Sequence, residues 1–111
     1  MPFPSFARAA ASISASAVVS LLFALPAQAS DALASKHGCL GCHAKASSLV
    51  GPSYQAIAER YAGQADAAAM LAKKIRAGGG GVWGEMAMPA QANVSEADAR
   101  KLASWVLKGA K

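Results

Sequence analysis

The pentapeptide Cys39-Leu40-Gly41-Cys42-His43 decides how this chain folds. Its two thiols are separated by two residues, a spacing that lets both add across the two vinyl groups of one haem. The histidine follows directly, so its imidazole can reach the iron from one side of the macrocycle. The pattern therefore predicts the covalent attachment of one c-type haem and a polypeptide that folds around it.

Three other uses of a C-x-x-C pair compete with this prediction. A thioredoxin-like redox pair requires a βαβ setting, and the sequence shows no strand-like alternation of any length. A structural zinc site requires further ligands, whereas the chain holds only these two cysteines and one other histidine, His37. A disulfide across two residues closes too small a loop to add much stability. Haem attachment is therefore favoured.

The stretch Gly84-Glu85-Met86-Ala87-Met88-Pro89 offers a ligand for the other side of the iron. Ligation by histidine and methionine raises the reduction potential of haem for electron carriage. Pro89 restricts Met88 to an extended conformation, and a stiff backbone keeps a weak thioether ligand within bonding distance. Met88 is therefore predicted as the axial ligand. Met86 is the alternative, and packing of both methionines in the core is the third interpretation.

Residues 1–29 are typical of a cleaved secretory signal peptide. Arg8 supplies a positive n-region, residues 13–25 an apolar h-region, and Ala27-Gln28-Ala29 a small-residue cleavage site. The apolar stretch is too short for a permanent transmembrane helix, although a retained anchor stays open as the alternative. Cleavage leaves residues 30–111 as one small periplasmic domain, whose core would be marginal without a haem at its centre.

The charge balance points to protein partners. The sequence has 11 Lys and Arg against 6 Asp and Glu, a net charge of +5, and of the basic residues only Arg8 precedes residue 30. A small basic surface steers docking towards acidic patches on redox partners. The basic residues are scattered, without an Arg-rich run or interleaved aromatic residues, so binding to nucleic acid is not expected.

Helical signals dominate the mature chain and predict an all-α fold. Ser95 and Asp98 form the S-x-x-[DE] capping box of the last helix, and His37 is interpreted as a solvent-facing helix residue. Four helices are expected: from a cap at Asp31 to Lys36, from a cap at Ser53 to Gly63, from a cap at Asp66 to the glycines at 78–81, and from Ser95 along an inward stripe of Leu102, Trp105 and Val106.

Four motifs occur in order along the mature chain: Cys39-Leu40-Gly41-Cys42-His43, Val50-Gly51-Pro52, Gly81-Val82-Trp83-Gly84 and Met88-Pro89. Together they resemble class I c-type cytochromes, and among these the small bacterial group with one haem that carries electrons in the periplasm to nitrite reductase or terminal oxidases. The resemblance covers essentially all of residues 30–111. It implies about four helices and loops wrapped around one covalent haem c, with the first and last helices crossing near it.

The resemblance also implies the roles of individual residues. Cys39 and Cys42 would form the thioether bonds to the haem. His43 and Met88 would be the axial ligands of the iron. The carbonyl of Pro52 would accept a hydrogen bond from the axial histidine and fix its tautomer. Trp83 and Lys74 match positions at a haem propionate, with interior packing as the alternative for Trp83. Either Gln91 or Asn93 would supply the side-chain amide that contacts the methionine sulfur.

The sequence thus predicts a soluble monomeric electron carrier, without enzymatic activity, whose haem iron cycles between Fe(III) and Fe(II). Its donor would be a protein such as a membrane cytochrome complex, and its acceptor a nitrite reductase or oxidase. One alternative is a dedicated haem c subunit of a periplasmic dehydrogenase or sulfur-oxidising complex. Another alternative is a haem enzyme or gas sensor whose iron has an open sixth coordination site. The sequence argues against it, because it has no spare histidine on the methionine side to act as a distal acid or base.

Overall fold

The computed structural model describes residues 1–4, 10, 17–18, 20 and 30–111. Most of the predicted signal peptide, residues 1–29, lies outside the described residues. The described part forms four α-helices and one 3₁₀ turn: α1 (Asp31–Lys36), the turn (Cys39–Gly41), α2 (Tyr54–Arg60), α3 (Ala67–Ala77) and α4 (Glu96–Leu107). The all-α prediction is confirmed. Among the described residues, no helix is long and apolar enough to cross a membrane.

Three of the four helices are directly preceded by a serine whose hydroxyl caps the first turn: Ser30 for α1, Ser53 for α2 and Ser95 for α4. This confirms the caps predicted at Ser53 and Ser95. The cap predicted at Asp31 is wrong, because the extended backbone of Ser30 brings its own hydroxyl to the open N–H groups and leaves Asp31 as the first helical residue. Asp66 precedes α3, but its side chain makes no capping hydrogen bond.

The ends of α3 and α2 lie where the backbone leaves helical geometry. α3 stops at Ala77, directly before Gly78, whose φ of 70° suits glycine. This end was predicted. α2 ends at Arg60, earlier than the predicted end at Gly63, because the chain leaves helical geometry at Tyr61.

α4 is the centre of the core and packs against both α3 and α2. Its predicted inward stripe of Leu102, Trp105 and Val106 is buried, as is Ile57 from α2. The core is nevertheless thin. Among the larger side chains that the structure describes, only Val94 has an exposed fraction below 2%. Four short helices of this kind bury little apolar surface by themselves.

His37 does not face solvent, and the prediction that it does is wrong. Its side chain is only 10% exposed, and its Nε2 lies 3.3 Å from Oδ2 of Asp98 in the first turn of α4. The backbone N–H of Asp98 donates to Ser95 as the capping box requires, but its carboxylate contacts His37. The side chains of Asp98 and His37 therefore join the end of α1 to the start of α4.

Replacing His37 or Asp98 with Ala should lower the free energy of unfolding by about 1 kcal/mol, the usual net contribution of a partly buried hydrogen bond. The effects should couple, so that the double variant loses less than the sum of the two single losses. Guanidinium unfolding at neutral pH measures both quantities.

Lys45→Ala provides the control, because it removes an exposed ion pair with Asp31 (2.9 Å) and should cost under about 0.5 kcal/mol. Strictly additive losses at His37 and Asp98 would show that the two side chains do not stabilise each other.

Candidate haem site

A cleft of about 260 Å³ opens beside the C-x-x-C-H turn. One part of its lining consists of Cys39, Cys42 and His43. Another part is the segment 78–89 after α3, which carries both Met86 and Met88. The rest of its lining is largely apolar and comes from α2, α3 and α4, including Ile57, Leu71, Leu102 and Val106. The thin core of the helices therefore continues directly into this cleft.

The two cysteines lie on a single tight turn. Gly38 enters the turn with a φ of 74°, a conformation that glycine adopts without strain. The carbonyl of Cys39 then accepts hydrogen bonds from the backbone N–H groups of Cys42, at 3.2 Å, and His43, at 3.0 Å. Both cysteines are half-buried and form no disulfide with each other. Burial raises the pKa of the Cys39 thiol, which a backbone hydrogen bond offsets only in part.

One hydrogen bond determines which nitrogen of His43 faces a ligand. Its Nδ1 lies 2.7 Å from the carbonyl oxygen of Pro52, the contact that the resemblance implied. A carbonyl can only accept, so Nδ1 carries the proton and donates it. In the neutral imidazole the other nitrogen, Nε2, then has a free lone pair, the form in which imidazole binds a metal.

Two neighbours hold the imidazole in place. A Cβ on residue 51 would lie 2.6 Å from Cε1 of His43, so only glycine lets the backbone approach this closely. The ring of Tyr54 stacks on the imidazole at 5.4 Å between centroids, with 18° between the planes, and meets Trp105 edge-on at 5.3 Å. Burial, with smaller Coulombic effects of Cys39 and Asp31, raises the pKa of Tyr54. Its hydroxyl therefore stays protonated.

The sequence pattern predicted no contact of Tyr54 or Gly51 with His43. Their contacts with His43 cross an irregular loop, in which no helical or strand period relates the residues. The only available signal was the position of both residues beside Pro52.

The segment that carries Met88 is clamped to the end of α3. Gly79 and Met88 exchange two backbone hydrogen bonds, of 3.0 and 2.8 Å. A Cβ at Gly78 would lie 2.5 Å from the carbonyl oxygen of Met88, so glycine is needed there for space as well as for its positive φ. Met88 is half-buried, whereas Met86, which also lines the cleft, is 70% exposed.

The two candidate amides differ in their surroundings. The backbone N–H of Gln91 donates to the carbonyl of Ile75 at 3.1 Å, and its side-chain Nε2 donates to the carbonyl of Pro89 at 3.3 Å. Asn93 is exposed. Of the two, Gln91 is therefore the residue that is tied to the methionine segment.

Lys74 and Trp83 both line the cleft. Lys74 is half-buried on α3. The indole of Trp83 is 43% exposed, and the guanidinium carbon of Arg60 lies 5.1 Å from its centroid. The predicted place of Trp83 at a haem propionate and its alternative, interior packing, both stay predictions. The role of Arg60 was not expected, because nothing in the sequence pairs the end of one helix with a glycine-rich loop.

These residues fit a covalently attached haem. Two thiols lie on one turn, an imidazole with a free Nε2 follows them, and a thioether lies in the same apolar cleft. The residue type at 51 is the one that leaves room for the imidazole.

Comparison with known proteins agrees with this arrangement. The family model described as Cytochrome c matches residues 27–110. The chain is 48% identical over 91 residues to cytochrome c-552 of Nitrosomonas europaea, and the alignment covers 82% of this chain and 88% of that protein. It is 56% identical over 70 residues to cytochrome c-551 of Azotobacter vinelandii, covering 63% and 84% of the two chains.

Solved structures show the same fold. The crystal structure of wild-type cytochrome c552 from Nitrosomonas europaea superposes with a TM-score of 0.70 at 47% identity, over 73% of this chain and 99% of that one. The proteins of this group carry electrons on one covalently bound haem c, so this chain is an electron-transfer protein and not an enzyme. With its fold, its site and its relatives in agreement, the chain belongs to the cytochrome c family, among the bacterial class I cytochromes.

Proposed function

We propose that this protein is a soluble periplasmic electron shuttle whose haem is bound through Cys39 and Cys42 and ligated axially by His43 and Met88. The observation that carries the proposal is the 2.7 Å hydrogen bond from His43 Nδ1 to the carbonyl of Pro52. It leaves Nε2 free to bind iron in a cleft that Met88 also lines. The haem supplies an iron that accepts and releases one electron.

The protein residues set the conditions for that transfer. Pro52 fixes the tautomer of His43 and makes its Nε2 a better donor, while the thioether of Met88 favours ferrous iron and raises the reduction potential. His43 and Met88 would both hold the iron, which would leave no coordination position for a substrate. The clamp between Gly79 and Met88 keeps the thioether in place in both oxidation states, so little rearrangement accompanies transfer.

The rim of the cleft suits brief encounters with other redox proteins. Val50, Trp83 and Met86 line the cleft and are exposed, and Lys74 lies beside them. An apolar rim with basic residues supports small, weak interfaces that are oriented by charge. The proposed partners are an acidic-faced donor such as a membrane cytochrome complex and an acceptor such as nitrite reductase or an oxidase, which the monomeric protein meets in turn.

The domain boundaries and the thioether bonds can be tested by one mass measurement. When the protein is expressed with its own leader in a bacterium that matures c-type cytochromes, the exported product should have the mass of residues 30–111 plus one haem. Cys39→Ala with Cys42→Ala should still lose the leader but carry no covalent haem, and it should be largely unfolded, because the apolar cleft has lost its occupant. A haem-stained band from the double variant on a denaturing gel would contradict the attachment.

The sixth ligand is tested by Met88→Ala against Met86→Ala. Loss of Met88 should remove the absorption signature of methionine ligation, admit imidazole to the ferric iron and lower the reduction potential, because the soft thioether favours the ferrous state. The Met86 variant is the matched control and should keep the wild-type spectrum, since that side chain is 70% exposed. The reverse result would assign the ligand to Met86, and unchanged spectra in both would leave the sixth site without methionine.

Charge-guided docking predicts opposite salt effects for small redox probes of opposite charge. Electron transfer with ferricyanide, an anion, should slow as ionic strength rises, and transfer with hexaammineruthenium, a cation, should accelerate. The reason is that the Debye length falls from about 30 Å at 0.01 M to about 10 Å at 0.1 M. Stopped-flow kinetics over a salt series measures both rates.

A charge reversal at Lys73, which is exposed on α3 next to the cleft-lining Lys74, should weaken the salt effect more than one at Lys108, which is exposed at the end of α4 and adjoins no residue that lines the cleft. Rates that do not vary with salt for either probe would show that the apolar rim alone governs docking.

A further inference from the structure

Arg60 is the last residue of α2 and is exposed, yet its guanidinium lies near two aromatic rings. Its Cζ is 5.1 Å from the centroid of Trp83 and 6.0 Å from that of Tyr61. A cation within about 6 Å of a ring face is attracted by the ring quadrupole, and the planar guanidinium can stack as well. Trp83 and Tyr61 both line the cleft.

The loop that carries Trp83 is paired at its base and closed by one backbone hydrogen bond at its tip. Gly79 is paired with Met88, and a Cβ at Gly80 would lie 3.1 Å from Cα of Ala87, so the two sides of the loop are in contact. At the tip, Gly81 donates to the carbonyl of Gly84 at 3.1 Å. Three glycines of this loop, Gly79, Gly81 and Gly84, have positive φ, and glycine restricts backbone motion least.

Trp83 lies at this tip and lines the cleft. Its glycine neighbours restrict the backbone least, so the loop itself does little to fix the position of the indole. The guanidinium of Arg60 supplies a contact from a different element, the end of α2, which packs on α4. The tip of the loop is thereby connected to the helical core.

We infer that Arg60 is a positioning residue, which holds the Trp83 indole against the cleft and, through the paired sides of the loop, limits the movement of Met88. The inference rests on the proposed function, because Met88 is taken as an axial ligand. Arg60 acts through Trp83 and touches neither the iron nor the thioethers. Its planar group is required as well as its charge, so lysine should replace it only in part.

The test compares Arg60→Gln and Arg60→Lys in the wild-type and Trp83→Leu backgrounds. The first measurement is the rate at which imidazole binds the ferric protein. Arg60→Gln should raise this rate about two- to five-fold, as expected for loss of an exposed cation–π contact, with Arg60→Lys in between. In the Trp83→Leu background, Arg60→Gln should have no further effect, because a residue that acts through another loses its effect when that partner is absent.

The second measurement is the indole N–H resonance of Trp83 in the ferrous protein. It should shift in Arg60→Gln, while the resonance of Trp105, buried in the core, stays in place as the internal reference. Arg100→Gln is the matched control for the loss of one positive charge, because Arg100 is exposed on α4. It should change neither the imidazole rate nor the indole resonance.

Three results would overturn the inference: an unchanged imidazole rate in Arg60→Gln, the same increase in the Trp83→Leu background, or an equal increase in Arg100→Gln. The last two would show that charge acts through space without the indole. Failure of the proposed function is recognised separately, in the wild-type spectrum. If that spectrum lacks methionine ligation, the sixth-ligand assignment is wrong, and the Trp83 resonance alone then decides whether Arg60 positions the indole.

Discussion

The covalent haem completes a core that the polypeptide leaves open. The four helices bury few large side chains, and their inner faces, with Leu102 and Val106 of α4 among them, continue into the lining of an apolar cleft. Apolar surface that is exposed to water costs roughly 25 cal/mol per Å². A haem in the cleft would therefore add to the packing that α4 already makes with α2 and α3. The proposed attachment at Cys39 and Cys42 would keep the macrocycle in the cleft.

His43, the proposed axial ligand, is held to the core by a short series of contacts. The carbonyl of Pro52 accepts a hydrogen bond from Nδ1, Gly51 leaves room for the ring, and Tyr54 stacks on the ring and contacts Trp105 of α4. Each partner restrains a different motion of the ring: its tautomer, its position or its tilt. A metal ligand that is held in this way needs no rearrangement when the charge on the iron changes, which favours fast electron transfer.

The methionine side is held by different means. The segment around Met88 is fixed to α3 by backbone pairing with Gly79, and at the tip of the same loop the indole of Trp83 contacts the guanidinium of Arg60. A glycine-rich loop allows the backbone to approach the cleft closely, at the cost of local stiffness. Val50 and Met86 are exposed on the lining of the same cleft.

The spacing of residues along the chain was enough to predict the haem cofactor, the all-α fold class and most of the helix boundaries. The C-x-x-C-H pentapeptide, the serine caps of α2 and α4 and the inward stripe of α4 each involve residues within a few positions of one another, so their spacing carries the information. The cap of α1 was assigned to the wrong neighbour, because Ser30 and Asp31 are both good caps and only the backbone conformation separates them.

Three contacts could not be predicted from the sequence and became apparent only in the folded protein. They are the contact of His37 with Asp98, the stacking of Tyr54 on His43, and the position of Arg60 over Trp83. His37 and Asp98 are 61 residues apart in the chain, and Arg60 and Trp83 belong to a helix and a loop with no common period. Local hydrogen bonds and hydrophobic periodicity report how each segment folds. Which side chains meet across segments depends on how the helices pack around the cleft, and no single segment of the sequence carries that information.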